Sequence, residues 1–129
     1  MKKIKILIVD DDENLAMMIG TRLKVANYDV RTANSFNDAY RAFLAFEPHV
    51  VLTDIGIGDE NGLDLIERIR SHGNNNVKTI YMTGDLDRYR SALVRESQLH
   101  HAKVIAKPFR ADELINIISA QARDHRTAA

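Results

Sequence analysis

Cysteine is absent from the 129 residues of this chain. Its absence excludes disulfides, thiolate metal sites and thiol catalysis, and it agrees with a reducing compartment. The chain also lacks a net charge, because eighteen Lys and Arg residues balance eighteen Asp and Glu residues. No overall field therefore favours nucleic acid or an anionic membrane as a partner.

Long hydrophobic runs are missing too. The apolar run at residues 6–9, which follows Lys2, Lys3 and Lys5, is stopped at once by Asp10, Asp11 and Asp12. We therefore predict neither a secretory leader nor a membrane span, and we expect a cytoplasmic protein that binds no membrane and no nucleic acid directly. Without internal repeats or low-complexity segments, the length fits one domain at 1–123, with 124–129 as a tail or the start of a linker.

Short apolar runs alternate with helical stripes along the chain. Strands are predicted at 4–9, 28–32, 50–52, 77–82 and 102–106, and helices at 13–26, 36–47, 62–73, 86–97 and 111–123. Each crossover helix must bury its apolar stripe against the sheet, so the sheet is parallel and covered on both faces. The predicted fold class is α/β, a flavodoxin-like doubly wound (βα)5 fold with a five-stranded parallel sheet in the order 2-1-3-4-5.

Polar residues follow four of the predicted strands at the point where each strand ends. They are Asp10-Asp11-Asp12, Asp54, Thr83-Gly84 and Lys107-Pro108. In such a sheet the ligand site lies at the carboxyl ends of the strands, so these groups should meet at one edge. For Asp12 we favour a simpler role, as the N-cap of the first helix.

The stretch DIGIGDENG at 54–62 resembles two other kinds of site superficially. As a calcium loop it fails, because the sixth position is Asp59 where Gly is needed and the twelfth is Leu65 where Glu is needed. As a dinucleotide cradle it fails because its glycines are one residue out of step.

Five short motifs carry a resemblance to a known family. Together, in this order and at these strand ends, they are similar to the receiver domain of two-component response regulators, and the likeness covers nearly the whole chain. The motifs are Ile8-Val9-Asp10-Asp11, Asp54 after Val51-Leu52-Thr53, Gly62-Leu63, Met82-Thr83-Gly84 and Lys107-Pro108-Phe109.

The resemblance implies a role for each matched residue. Asp54 is the expected phosphoacceptor, and Thr83 and Lys107 are expected to contact the phosphoryl group. Mg²⁺, with Mn²⁺ as an alternative, is the expected cofactor, because a hard cation suits a cluster of carboxylate oxygens. Its expected ligands are Asp10, Asp11, Asp54 and the backbone carbonyl of Gly56. The Lys107-Pro108 bond is the natural candidate for a cis peptide.

The resemblance also implies partners and an activity. The expected phosphoryl donor is a sensor histidine kinase or a phosphotransfer protein. The expected target is a downstream effector protein or a fused output domain, and phosphorylation could drive homodimerisation. The only expected catalysis is Mg²⁺-assisted self-phosphorylation and autodephosphorylation, so we do not expect an enzyme in the usual sense.

Two departures from the family pattern leave alternatives open. Gly58 stands where receivers usually have proline, and Val104 stands where they commonly have Tyr or Phe. One alternative is therefore a phosphorylation-independent adaptor, or pseudo-receiver, that binds a partner protein. The other is a Mg²⁺-dependent aspartyl phosphohydrolase, although such enzymes generally carry a second acid two residues after the nucleophile, where this chain has Gly56.

Overall fold

The structure is a computed structural model that describes residues 2–73 and 76–128, with side chains described up to Arg123. Asn74 and Asn75, which follow the predicted end of the third helix at 73, lie outside the described residues. In the described part of the chain, no helix combines the length and the apolar character needed to cross a membrane.

A five-stranded parallel sheet forms the centre of the fold. Its strand order is β2-β1-β3-β6-β7, which is the predicted order 2-1-3-4-5 when only the strands of this sheet are counted. The strands are β1 (Lys5–Val9), β2 (Asp29–Ala33), β3 (Val50–Asp54), β6 (Lys78–Thr83) and β7 (Lys103–Ala106).

Two very short strands lie outside this sheet. β4 (Gly56–Ile57) and β5 (Glu60–Asn61) pair antiparallel in the loop that follows β3. The sequence did not predict this hairpin, because it is far shorter than the runs on which a period-2 pattern can be recognised.

Five helices cover the sheet: α1 (Glu13–Val25), α2 (Phe36–Phe46), α3 (Gly62–Ser71), α4 (Arg90–His100) and α5 (Ala111–Ala128). α2, α3 and α4 pack on one face and α1 and α5 on the other, as the two apolar clusters show. β1 serves both faces because alternate side chains of a strand point to opposite sides: Leu7 and Val9 join one cluster, Ile6 and Ile8 the other. The predicted doubly wound architecture is thus confirmed.

Local hydrogen bonds explain where three helices begin. The side chain of Asp12 accepts from the Leu15 N–H, as the sequence predicted for this N-cap, and that of Ser35 accepts from the Asp38 N–H. Asn61 caps α3 in the same way.

The fourth helix differs from its prediction. We placed it at 86–97, but it spans Arg90–His100. The Tyr89 N–H donates to the Leu86 carbonyl and the Arg90 N–H to the Asp87 carbonyl, so tight turns with a three-residue spacing precede the helix. At the other end, His101 closes the helix in the left-handed conformation. The backbone of α5 remains helical past residue 123, where we had placed the end of the last helix.

Candidate functional site

Three carboxylates converge at the carboxyl edge of the sheet. Asp10 follows β1, Asp11 comes next, and Asp54 ends β3. One oxygen from each lies within 4.8 Å of the others. Asp10 is fully buried, Asp54 is half-buried and Asp11 is exposed, so the cluster opens to solvent on one side.

Lys107 connects two of these carboxylates. Its ammonium donates to Asp54 Oδ2 at 2.9 Å and to Asp10 Oδ2 at 3.1 Å. The lysine follows β7 and precedes a cis bond to Pro108, the isomer that we expected. The Lys107 ammonium therefore links the end of β7 to the ends of β1 and β3.

The charges in the cluster do not balance. Three carboxylates face one ammonium, and unit charges about 5 Å apart repel by roughly 3 kcal/mol at an effective dielectric near 20. Burial raises the pKa of Asp10 although the Asp12 N–H and Lys107 oppose the shift. Burial alone would lower the pKa of Lys107, but its hydrogen bonds to Asp54 and Asp10 outweigh burial and raise it.

The donor set of this cluster fits a divalent oxygen-binding cation. Carboxylate oxygens are the ligands of Mg²⁺ and Ca²⁺, whereas softer metals prefer the sulfur and imidazole that are missing here. An added cation would also offset the excess negative charge. The cluster is thus consistent with divalent metal binding, as expected for Asp10, Asp11 and Asp54.

Thr83 and Gly84 end β6 at the same edge. Thr83 is buried, and its hydroxyl oxygen accepts from the Asp85 N–H at 3.0 Å, which leaves the hydroxyl proton available for another acceptor. No protein atom lies within 4 Å of a Cβ built on Gly84, or of one built on Gly56. Both glycines therefore leave open space beside the strand ends.

Gly62 explains how α3 comes so close to the acidic cluster. A Cβ at this position would meet the Asp54 carbonyl oxygen at 2.2 Å and the Thr53 hydroxyl at 2.9 Å. Only glycine permits this approach. The Gly62 N–H in turn donates to the Ile55 carbonyl, so both ends of the loop after β3 are held together.

Two contacts of the cluster were not foreseen from the sequence. The side-chain amide of Asn34 donates to the Asp10 carbonyl at 3.0 Å, and the Gly58 N–H donates to Asp11 Oδ2 at 3.0 Å. Asn34 follows the end of β2, so the strand-end rule could have found it. No sequence signal marks a backbone donor such as Gly58.

A second charged group, also unforeseen, joins α3, α4 and β6. The Tyr81 hydroxyl, from β6, donates to Glu96 Oε1 at 2.6 Å, and Arg70 contacts both carboxylate oxygens of Glu96 at 2.9 and 3.0 Å. We call these three residues the Arg70–Glu96–Tyr81 network. Tyr81 also pairs with Val104 on β7, so a bulky aromatic ring lies beside the position where the family's aromatic is missing.

Comparison with known proteins gives a consistent result. The transcriptional regulatory protein KdpE of Staphylococcus aureus is 30% identical over 125 residues, which cover 95% of this chain and 52% of that protein. The regulatory protein AtoC of Escherichia coli is 30% identical over 114 residues, covering 88% of this chain and 24% of that protein. The chain thus spans about half, or less, of the length of these relatives.

Solved structures agree on the fold. The non-phosphorylated HemR receiver domain from Leptospira biflexa matches with a TM-score of 0.82 and 27% identity, over 92% of this chain and 94% of that one. A receiver domain protein from Methanospirillum hungatei matches with a TM-score of 0.86 and 23% identity, over 99% and 100% of the two chains. The family model described as the response regulator receiver domain matches residues 6–119. The chain therefore belongs to the response regulator receiver domain family.

Proposed function

We propose that this chain is a phospho-accepting receiver domain in which Asp54 takes a phosphoryl group from a phosphohistidine. The observation that carries the proposal is the convergence of Asp10, Asp11, Asp54 and Lys107 at the carboxyl edge of the sheet. The proposed donor is a sensor histidine kinase or a phosphotransfer protein, since a phosphohistidine supplies the phosphoryl group that Asp54 accepts.

In the proposed reaction, a carboxylate oxygen of Asp54 attacks the phosphorus atom. The P–N bond to the histidine breaks, its electron pair stays on the imidazole nitrogen, and an acyl phosphate forms on Asp54. The carboxylate suits this role because its Oδ2 accepts from the Lys107 ammonium at 2.9 Å and its side chain is 15% exposed, so a donor can reach it.

Charge neutralisation is the main task of the surrounding residues. The Lys107 ammonium lies 2.9 Å from Asp54 Oδ2, so it is close enough to form an ion pair with a phosphoryl oxygen on Asp54. The free hydroxyl proton of Thr83 can donate to a second oxygen, and the open space at Gly84 leaves room for it. Mg²⁺ bound by Asp10, Asp11, Asp54 and the Gly56 carbonyl would supply further positive charge to the phosphoryl oxygens.

The product would change the charge balance of the site and hence the conformation around it. A phosphoryl group adds about −1.5 to −2 charges at neutral pH. Lys107, directly after β7, and Thr83, the last residue of β6, would then reorient towards the new anion. The population of conformers of α4 and β7 would shift, and an effector protein, a fused output domain or a second copy of the chain could read that shift.

Intact-protein mass spectrometry tests the proposal. Incubation with Mg²⁺ and acetyl phosphate should add one phosphoryl mass to the wild type, and Asp54→Asn should add none. Asp59→Asn is the matched control, because Asp59 is an exposed acid of the same loop. Labelling of Asp54→Asn by a phosphohistidine donor at the wild-type rate would contradict the proposal. Equal partner affinity with and without beryllofluoride would instead favour the adaptor hypothesis.

A further inference from the structure

The peptide N–H of Gly58 makes a contact over a long sequence separation. It donates to Asp11 Oδ2 at 3.0 Å and so joins the loop after β3 to the loop after β1. An N–H donor to a carboxylate is a charge-assisted hydrogen bond and fixes the acceptor more firmly than a neutral contact does. Asp11 is the exposed member of the acidic cluster, so it is the carboxylate that most needs such a restraint.

The short hairpin aims this N–H at Asp11. Ile57 pairs with Glu60, so Gly58 and Asp59 form a two-residue turn. Gly58 has a φ of 59°, as expected at the first turn position of a type II′ hairpin, where glycine is preferred. The buried side chains of Ile55 and Ile57 anchor the hairpin to the core, which limits its movement.

The restraint leaves Asp11 able to bind a cation. Only Oδ2 accepts the Gly58 N–H, and each carboxylate has about four lone-pair sites on two oxygens. Groups that hydrogen-bond a ligating carboxylate orient it, and their loss typically weakens metal binding by 10- to 100-fold. Proline at 58 could provide neither the N–H nor the positive φ.

From these contacts we propose that the Gly58 backbone N–H is a positioning group of the metal site, holding Asp11 in the orientation that a divalent cation requires. This inference rests on the proposed function, because it takes Asp11 as a metal ligand. It assigns a role to the residue by which the chain departs from the family pattern. Where proline would order the loop by restricting its backbone, Gly58 orders it by a hydrogen bond to Asp11.

Titration of the metal-free protein with Mg²⁺ by calorimetry tests the proposal without any phosphorylation. Gly58→Pro removes both the N–H and the left-handed conformation, and it should weaken Mg²⁺ binding by about 10-fold or more. Gly58→Asn is the matched variant, since Asn keeps the N–H and is among the residues that tolerate positive φ. It should bind Mg²⁺ within about threefold of the wild type, well short of the roughly 10-fold loss expected when the group that orients a ligating carboxylate is removed.

Hydrogen exchange of the Gly58 amide gives a second measurement that needs no variant. The wild-type Gly58 amide should exchange more slowly than the neighbouring Asp59 amide, and saturation with Mg²⁺ should preserve that protection. Loss of protection on adding Mg²⁺ would mean that the cation takes Asp11 away from Gly58, and it would overturn the proposal. This measurement remains decisive if Gly58→Pro does not fold.

The outcomes separate this inference from the proposed function. If the wild type binds no Mg²⁺ at millimolar concentration, the metal site itself is refuted, and this inference with it. If the wild type binds Mg²⁺ and Gly58→Pro binds equally well, only the role of Gly58 is refuted. Equal weakening by Gly58→Pro and Gly58→Asn would also refute it, because the N–H would then be irrelevant.

Discussion

The acidic cluster and the Arg70–Glu96–Tyr81 network both hold a carboxylate away from bulk solvent, but they differ in how fully the negative charge is paired. In the cluster, Asp10, Asp11 and Asp54 share one ammonium and keep an excess of negative charge. In the network, one carboxylate meets one guanidinium and one phenol, so both oxygens of Glu96 are paired.

The pKa shifts follow that difference. Burial raises the pKa of Asp10, and its partners do not fully oppose the effect. Burial also acts to raise the pKa of Glu96, but hydrogen bonds from Arg70 and Tyr81 outweigh it and the pKa is lowered. A balanced carboxylate therefore stabilises the fold, whereas an unbalanced one costs stability until a cation or a proton arrives.

The largest expected effect is on the network. Arg70→Met should leave the Glu96 carboxylate without its cation, with side chains that are only 13% and 14% exposed. We expect a loss of about 2–3 kcal/mol in the free energy of unfolding, measured by urea denaturation at pH 7. The matched control is Arg90→Met, which breaks an exposed ion pair with Asp87 and should cost about 0.5 kcal/mol or less. Equal costs for the two variants would contradict the structural role of the network.

Removal of the phenol should have the next largest effect. Tyr81→Phe keeps the buried ring and deletes the hydroxyl that donates to Glu96, which still keeps Arg70. The expected cost is about 1–1.5 kcal/mol in the same measurement. Tyr28→Phe removes a hydroxyl paired only with the neutral Ser119 hydroxyl and should cost about 0.5 kcal/mol. The reverse ranking would show that the charge of Glu96 adds nothing to the bond.

Removing a charge from the acidic cluster should raise the free energy of unfolding, whereas removing one from the network should lower it. Asp10→Asn removes one negative charge while keeping an acceptor for the Asp12 N–H, so we expect the metal-free protein to gain about 1 kcal/mol at pH 7. Mg²⁺ should raise the melting temperature of the wild type more than that of the variant. Asp12→Asn, a change between two good N-caps outside the cluster, serves as the control and should shift stability by a few tenths of a kcal/mol. Destabilisation by Asp10→Asn in the absence of metal would refute the account of charge excess.

The smallest expected effect is the pH dependence of these differences, at a few tenths of a kcal/mol per pH unit. The pKa of Glu96 is lowered from 4.5, so its contribution is present above that value and is lost as the pH falls through the lowered pKa. The pKa of Asp10 is raised from 3.8, so the gain from Asp10→Asn should already shrink as the pH falls towards that raised value.

Urea denaturation of the wild type and both variants between pH 3 and 7 measures this order. On acidification, the gain from Asp10→Asn should decline first and the cost of Arg70→Met second. The opposite order would reverse the assignment of which carboxylate is stabilised by its surroundings.

Much of the site could be predicted because it follows from strand ends. A run such as 6–9 is apolar on both faces only if helices cover both sides of the strand, and a parallel sheet sends all its carboxyl ends to one edge. Asp10, Asp54, Thr83 and Lys107 therefore lie at one edge of the sheet, as their strand-end positions in the sequence predict. The roles that we assign to them stay predictions.

The start of α4 and the network could not be predicted in the same way. The sequence predicted a helix over the segment 86–89, and only the backbone hydrogen bonds from Tyr89 to Leu86 and from Arg90 to Asp87 show that it turns. Arg70 and Glu96 are ordinary helical charges in sequence, and they become partly buried partners only because the fold brings α3, α4 and Tyr81 together.

The sequence by itself determined the order of the strands, the two-faced core and the four strand ends that carry polar groups, because each depends on local periodicity and connection rules. Only the tertiary structure decided which charges are balanced. Whether a carboxylate is paired depends on distances across elements, such as the 3.0 Å from Gly58 N to Asp11 Oδ2. Residue type does not reveal which acceptor a backbone N–H will find. The acceptor of the Gly58 N–H is therefore fixed only when the loops after β1 and β3 fold against each other.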